Sequence, residues 1–185
     1  MHILLSDQAI PYLGTNLRSG WIRDTFGLEG EALVAWAGPC HVATEHLVDL
    51  EDVAAGAQIH AALMLHFLAE HPGDDLPVTV CRQRLLVAEA LEILRALAPL
   101  APFIRAGDDL YAGERKLSVS IATRSPHSGL IHFGVNVDPV GAPVPAVGLA
   151  ELGVDPRGFA SRLLETYAEE MSGIERACRK VREVA

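Results

Sequence analysis

The sequence predicts a mixed α and β fold, and three observations carry that expectation. Short apolar runs bounded by turn residues alternate with longer runs of helical spacing. Lys116 to Val137 alternates polar and apolar residues with strict period two, the pattern of a β-hairpin. The segment after Asp155-Pro156 repeats apolar residues at steps of three and four, the pattern of an amphipathic helix. The chain has 185 residues, 50% of them hydrophobic, which fits one domain over 1–185 and is too apolar for disorder.

The elements follow in order. Met1-His2-Ile3-Leu4-Leu5-Ser6-Asp7 has no basic region and a very short apolar run, unlike a signal peptide. Ala32 to Ala37 reads as a strand closed by Gly38-Pro39. Val53 to Ala69 runs 17 residues without Asp, Glu, Lys or Arg. That is shorter than the ~20 residues of a membrane span, and the run holds Gln58, His60 and His66. A buried helix is expected there, continuing to His71, with Ile59, Leu63 and Phe67 on one face. Pro77 to Cys81 reads as a short strand and Arg82 to Ala98 as an amphipathic helix, so Arg82, Gln83 and Arg84 fall at a helix start. Asp138 to Gly148, rich in proline and glycine, is an irregular connection long enough to serve as a lid or as the contact of a homodimer. Asp155 is a helix N-cap with Pro156 at the first helical position. Leu164, Tyr167, Met171, Ile174, Cys178 and Val181 then form one stripe, which places Cys178 in the core.

Charge and cysteines narrow the function classes. The 24 acidic residues outnumber the 15 basic ones, giving −9 with histidine neutral. Such a field repels nucleic acid and anionic membrane surfaces, so neither is expected as a partner. Cys40, Cys81 and Cys178 have neither zinc-ligand spacing nor a closed disulfide set, which points to a reducing cytoplasm and no metal. His60, His66, Glu70 and His71 crowd one segment without completing an HExxH motif, and are expected to be structural. Asp49, Glu51 and Asp52 read as surface carboxylates or a helix start.

The hairpin carries the chemistry. In a register symmetric about the turn Thr123 to Gly129, Lys116 faces Asn136, Ser118 faces Gly134 and Ser120 faces His132. That gathers an ammonium, two hydroxyls, an imidazole and an amide on one face, with glycine leaving room beside Ser118. The face is either a solvated sheet surface or a ligand site. Only two of the basic residues, Lys116 and Lys180, are lysines, which makes a lysine on this face informative. Elsewhere, Cys40 beside His41 and His46 is either a nucleophile or a buried inert thiol. Arg18, near Trp21, is either an anion contact or a surface arginine lying over the ring.

Asp108-Asp109-Leu110-Tyr111-Ala112-Gly113-Glu114-Arg115-Lys116-Leu117-Ser118 resembles the Asn-Asp-Leu…Gly…Lys-Ile-Ser segment of lipoate–protein ligases. Ile131-His132-Phe133-Gly134 is similar to the His-Gly strand that follows it there. Nearly the full length is similar to an uncharacterised prokaryotic family, domain of unknown function 366. The similarity lies in Leu17-Arg18-Ser19, Gly38-Pro39-Cys40, Val48 to Val53, Met64 to Phe67, Arg82 to Leu85, the hairpin and Tyr167 to Glu170. The resemblance implies a biotin/lipoate ligase-like α+β fold, a mostly antiparallel sheet packed with helices and shared with class II aminoacyl-tRNA synthetases. It implies that Lys116 contacts the carboxylate of a small acid and the phosphate of its adenylate, with ATP as cofactor and an acceptor protein as partner. The chain departs from the ligases in lacking their glycine-rich substrate loop and in carrying Val119 where they have a small residue.

The expected function is the binding and activation or transfer of a small carboxylic acid or acyl donor. Lys116 would stabilise the oxyanion, and His132 and Asn136 would orient the substrate. Ser118 and Ser120 would donate hydrogen bonds, and Asp109 would hold Lys116 or the hairpin entrance. Two alternatives stay open: a non-catalytic binding or assembly protein that kept the fold, and an acyltransferase using Cys40.

Overall fold

A computed structural model describes residues 1–184. Strand β1 (His2–Leu5) leads through a loop and the short helix α1 (Trp21–Phe26) to β2 (Ala32–Val42). Helix α2 (Leu50–Ala54) precedes β3 (Ile59–Pro72), and α3 (Leu76–Leu97) follows it. Strands β4 (Phe103–Ala106), β5 (Asp109–Ala112) and β6 (Arg115–Lys116) form a small antiparallel sheet. The hairpin β7 (Ser118–Arg124) and β8 (Ser128–Asp138) returns to the main sheet, and α4 (Pro156–Arg179) ends the fold. The main sheet has the order β1-β2-β3-β8-β7, antiparallel except for the β1–β2 pair.

Both faces of this sheet are covered. Leu33, Ala35, Phe67, Ile131, Phe133 and Val135 pack beneath α3 and α4. Val34, Trp36, Met64 and Leu68 pack on the opposite face against Tyr12, Trp21 and Ile22. Strands buried on both faces read as continuous apolar runs rather than alternating ones. That explains why the helix expected over 53–69 is instead the 14-residue strand β3. Ile59, Leu63 and Phe67 recur every fourth residue, a spacing that satisfies a strand of period two as well as a helix.

Three further expectations are corrected. Pro77 to Cys81 is the first turns of α3, not a strand. Asp75 caps the helix by accepting from Val78 N, and Pro77 sits in the first turn, so the cap overrides the β-branched side chains. Arg82, Gln83 and Arg84 therefore lie inside the helix, and Arg82 pairs with Glu31 and Asp74, each at 2.7 Å. The strand at Ala32 does not end at Gly38-Pro39; a bulge between Gly38 and Cys40 carries it on to Val42. The stripe of α4 is core only as far as Met171, and Cys178 is exposed. No helix of the described residues is long and apolar enough to cross a membrane.

Glu89 is the discordant residue of the helix layer. It is 8% exposed on α3, and its Oε2 has no hydrogen-bond partner among the described residues. Burial, aided by Glu170 and Glu92, pushes its carboxyl up from 4.5 to about 7. The folded pKa is raised, so the stability this group contributes is present below about 4.5 and lost as pH rises through about 7. Glu89→Gln removes that loss. Its unfolding free energy is expected to exceed the wild type's by up to about 3 kcal/mol in mildly alkaline buffer. At or below about pH 4.5 the gain should vanish, which urea titrations at the two conditions would show.

Candidate functional site

A cavity of about 430 Å³ opens on the sheet face opposite the helices. Its walls come from residues 12–17, 42–60 and 142–146, and from β3, β7 and β8. The irregular segment after β8 thus builds a wall rather than a bare connection. It also fixes Lys116, whose N–H donates to Pro145 O at 2.9 Å and whose carbonyl accepts from Val147 N at 3.0 Å. Asn136 Nδ2 donates to the same carbonyl at 3.3 Å.

Lys116 supplies the only lysine or arginine side chain of the lining among the described residues. Its Nζ lies 2.7 Å from Asp109 Oδ2, both groups part-buried. Burial raises the Asp109 carboxyl above its ordinary value, while the Lys116 ammonium pulls it the other way. Asp49, Asp52 and Asp108 also line the cavity. Asp49 caps α2, and Asp108 is held by Gln83 Nε2 at 2.9 Å and by Arg84 at 3.5 Å. The remaining lining is largely apolar, including Leu17, Val42, Ile59, Met64, Val119 and Ile121.

At the floor, His132 and His66 are paired. His66 Nε2 lies 3.2 Å from Gly38 O, and His66 Nδ1 lies 3.1 Å from His132 Nε2. Tyr12 stacks on His132 with ring centroids 3.6 Å apart and planes 7° from parallel. Burial holds both imidazoles neutral, lowering His66 to about 4 and His132 well below its ordinary value.

The hairpin forms, but its register differs from the symmetric one by one residue. Ser118 pairs with Val135, Val119 with Gly134, Ser120 with Phe133 and Ile121 with His132. The turn is centred between Pro126 and His127, where Ser125 N donates to Ser128 O at 2.8 Å and Ser125 Oγ accepts from the N–H groups of His127 and Ser128. A one-residue slip turns every side chain to the other face. Ser118 is consequently buried away from the cavity, its Oγ accepting from Leu110 N at 2.8 Å. Ser120 borders the cavity, yet its Oγ accepts from Gln83 Nε2 and donates to His132 O. Lys116 keeps its place because Leu117, between β6 and β7, breaks the alternation; Leu117 and Ser118 are both fully buried.

The remaining residues stand apart. Gly134 lies on the cavity face, and a Cβ there would sit 2.8 Å from Met64 Cε. Arg18 is exposed and paired with Asp24 at 2.9 Å. Cys40 is 1% exposed, pairs through its backbone with Tyr12, and has its thiol pushed up to about 12 by burial. A thiolate there is disfavoured. Cys81 and Cys178 are exposed. A thiol-labelling reagent is expected to modify those two rapidly in the native protein and Cys40 only after unfolding, as intact mass spectrometry would read.

Tyr12, Asp52 and Asp108 are cavity residues that sequence reasoning did not single out, nor did it pair His66 with His132 beneath the cavity. Tyr12 carries no local signal, and His66, fully buried, meets His132 only because 59–72 is a strand. No group of three or more His, Cys, Asp or Glu among the described residues is arranged to hold a metal ion.

Residues 1–182 match the family described as domain of unknown function DUF366. An uncharacterised protein of Methanocaldococcus jannaschii is 34% identical over 187 residues, covering 97% of this chain and 84% of that one. A protein of unknown function from Pyrococcus horikoshi superposes with a TM-score of 0.93 at 38% identity, over 100% of this chain and 99% of its own. A putative lipoate protein ligase from T. acidophilum superposes with a TM-score of 0.62 at 17% identity, over 92% of this chain and 85% of its own. Biotin protein ligases share the same fold. At such identities the likeness is one of architecture: a mostly antiparallel, biotin/lipoate ligase-like sheet packed with helices.

Proposed function

For a chain that belongs to the DUF366 family and has the biotin/lipoate ligase-like fold, we propose that the cavity binds a small carboxylic acid or its acyl derivative. One observation carries this reading: Lys116 is the single lysine or arginine among the described residues of a cavity whose lining is largely apolar. A compact charge on a flexible stem can follow the oxygens of a carboxylate or acyl group, and an apolar wall receives the chain. Lys116 holds the carboxyl or acyl oxygens. Asn136 fixes the Lys116 backbone, and Asp109 holds the ammonium until the ligand displaces it. Because burial raises the Asp109 carboxyl, proton uptake there eases that exchange. Ser118, Arg18 and Cys40 have no part in it.

The residues present do not fit a nucleotide triphosphate. Asp49, Asp52, Asp108 and Asp109 face one lysine that Asp109 already neutralises. The sequence also lacks the glycine-rich substrate loop of the ligases. This charge pattern favours acid or acyl binding without adenylate chemistry, whether the protein acts as a carrier or hands the acyl group to an acceptor protein.

Equilibrium dialysis of labelled octanoate with and without magnesium ATP, with ATP–pyrophosphate exchange followed in the same samples, tests the reading. Saturable binding indifferent to ATP, with no exchange, is expected. Acid-dependent exchange that Lys116→Arg abolishes would contradict the nucleotide-free reading, and absence of acid binding would contradict the whole of it.

A further inference from the structure

The histidine pair fixes the direction of a hydrogen-bond chain, and the chain ends in the cavity. Its origin is the carbonyl of Gly38, which can only accept. His66 Nε2 lies 3.2 Å from it and so carries the proton. In a neutral imidazole the other nitrogen is then a bare acceptor. His66 Nδ1 is 3.1 Å from His132 Nε2, so that nitrogen carries its own proton in turn. By the same rule, His132 Nδ1 is left as an unprotonated lone pair. No group among the described residues donates to it: the His132 side chain's hydrogen bond there is the one to His66.

Nor is that nitrogen sealed in the core. His132 is 3% exposed and lines the cavity. The buried side-chain N and O atoms without a hydrogen bond among the described residues are Glu89 Oε2 and Asp74 Oδ2, the latter ion-paired with Arg82 at 2.7 Å. His132 Nδ1 is not one of them, and the open space that His132 borders is the cavity. Tyr12 covers one ring face at 3.6 Å and fixes the ring plane, which gives the lone pair a set direction.

We propose that His132 Nδ1 is a fixed hydrogen-bond acceptor in the cavity, and that the acid bound there carries a hydroxyl or N–H donor along its chain, remote from the carboxyl group at Lys116. The proposal rests on the acid-binding reading above and adds the chemical class of the acid. Asn136, which holds the Lys116 carbonyl, and His132 lie four residues apart on one strand, about 13 Å at 3.3 Å per residue. Between them Gly134 contributes no side chain, and Met64, Val119 and Ile121 offer apolar surface. The complementary ligand is therefore polar at both ends and apolar in the middle. An acid with a plain hydrocarbon end would displace water from Nδ1 and leave it unpaired, which costs affinity.

Calorimetric titration of the ω-hydroxy acids from hexanoic to dodecanoic, each beside its unsubstituted parent, tests the proposal. One chain length is expected to show the hydroxy acid binding about tenfold tighter than its parent. His132→Phe keeps the stacking surface and should erase that preference, bringing each hydroxy acid and its parent to the same affinity. Nitrogen-15 spectra of the wild type give a readout independent of the variant's folding. The His132 Nδ1 signal should be that of an unprotonated nitrogen and should shift with the hydroxy acid but not with its parent. Equal affinities throughout the series, or a proton on Nδ1, would overturn the acceptor role while leaving the Lys116 site standing. Failure of every acid to bind would overturn the acid-binding reading and this proposal with it.

Discussion

Gly38→Ala is expected to destabilise the fold by about 3 kcal/mol or more. A Cβ at Gly38 would fall 2.1 Å from Ile10 O and 2.9 Å from Ile10 C, backbone atoms that no rotamer change can clear. Ile10 O also accepts from Trp36 Nε1 at 2.8 Å, so pushing the 10–12 segment away breaks that bond. It separates Tyr12 from its backbone pairing with Pro39 and His41 as well. The consequences reach the site, because Gly38 O anchors His66 and Tyr12 covers His132. Gly173→Ala is the control. Gly173 lies inside α4, where an added Cβ would meet nothing nearer than Arg176 at 3.8 Å. Replacing a helix-interior glycine in this way is expected to stabilise by about 0.5–1 kcal/mol. Urea unfolding of both variants would show opposite shifts; a Gly38→Ala midpoint equal to wild type would mean the sheet edge and the 10–12 segment are not in this close approach.

Lys116→Met is expected to lose acid binding by about a hundredfold while folding normally, since a charge-assisted hydrogen bond in a part-dry site is worth about 1.5–3 kcal/mol. The backbone of Lys116, not its side chain, makes the bonds to Pro145 and Val147 that close the cavity wall, so the wall survives the substitution. Asp109 loses its ammonium and, already raised by burial, titrates higher still. Lys116→Arg should retain part of the binding, because a guanidinium keeps the charge but engages Asp109 through a rigid fork. Thermal shifts produced by octanoate in the three proteins, each compared with its own unliganded melting temperature, separate loss of binding from loss of folding.

Legibility of the sequence tracked how many faces an element buries. The hairpin has one face under the helices and the other in the cavity, and its alternation showed in the sequence directly. Asp155-Pro156 announced α4 through capping chemistry that acts within one turn. Strand β3 hid because burial on both faces erased its alternation, and four-residue spacing then matched a helix. The Pro77–Cys81 error came from weighing β-branched side chains above the Asp75 cap. Within the site, Lys116, Asp109, His132 and Asn136 were singled out from the sequence, and the cavity borders all four. The face that was expected to unite them with Ser118 depended on a turn centre between two residues, a detail set by Ser125 and Ser128 and invisible to periodicity. Tyr12 and His66 arrive from distant segments and share only three-dimensional position, so no local pattern marks them.

The function of this cavity turns on whether Lys116 holds a carboxylate there. Calorimetric titration of a medium-chain carboxylic acid near neutral pH, into the wild type and into folded Lys116→Met, puts the question directly. Saturable binding at one site per wild-type chain, weakened about a hundredfold in the variant, is the predicted result. Equal affinity in the two proteins, or heat of binding in neither, would contradict it.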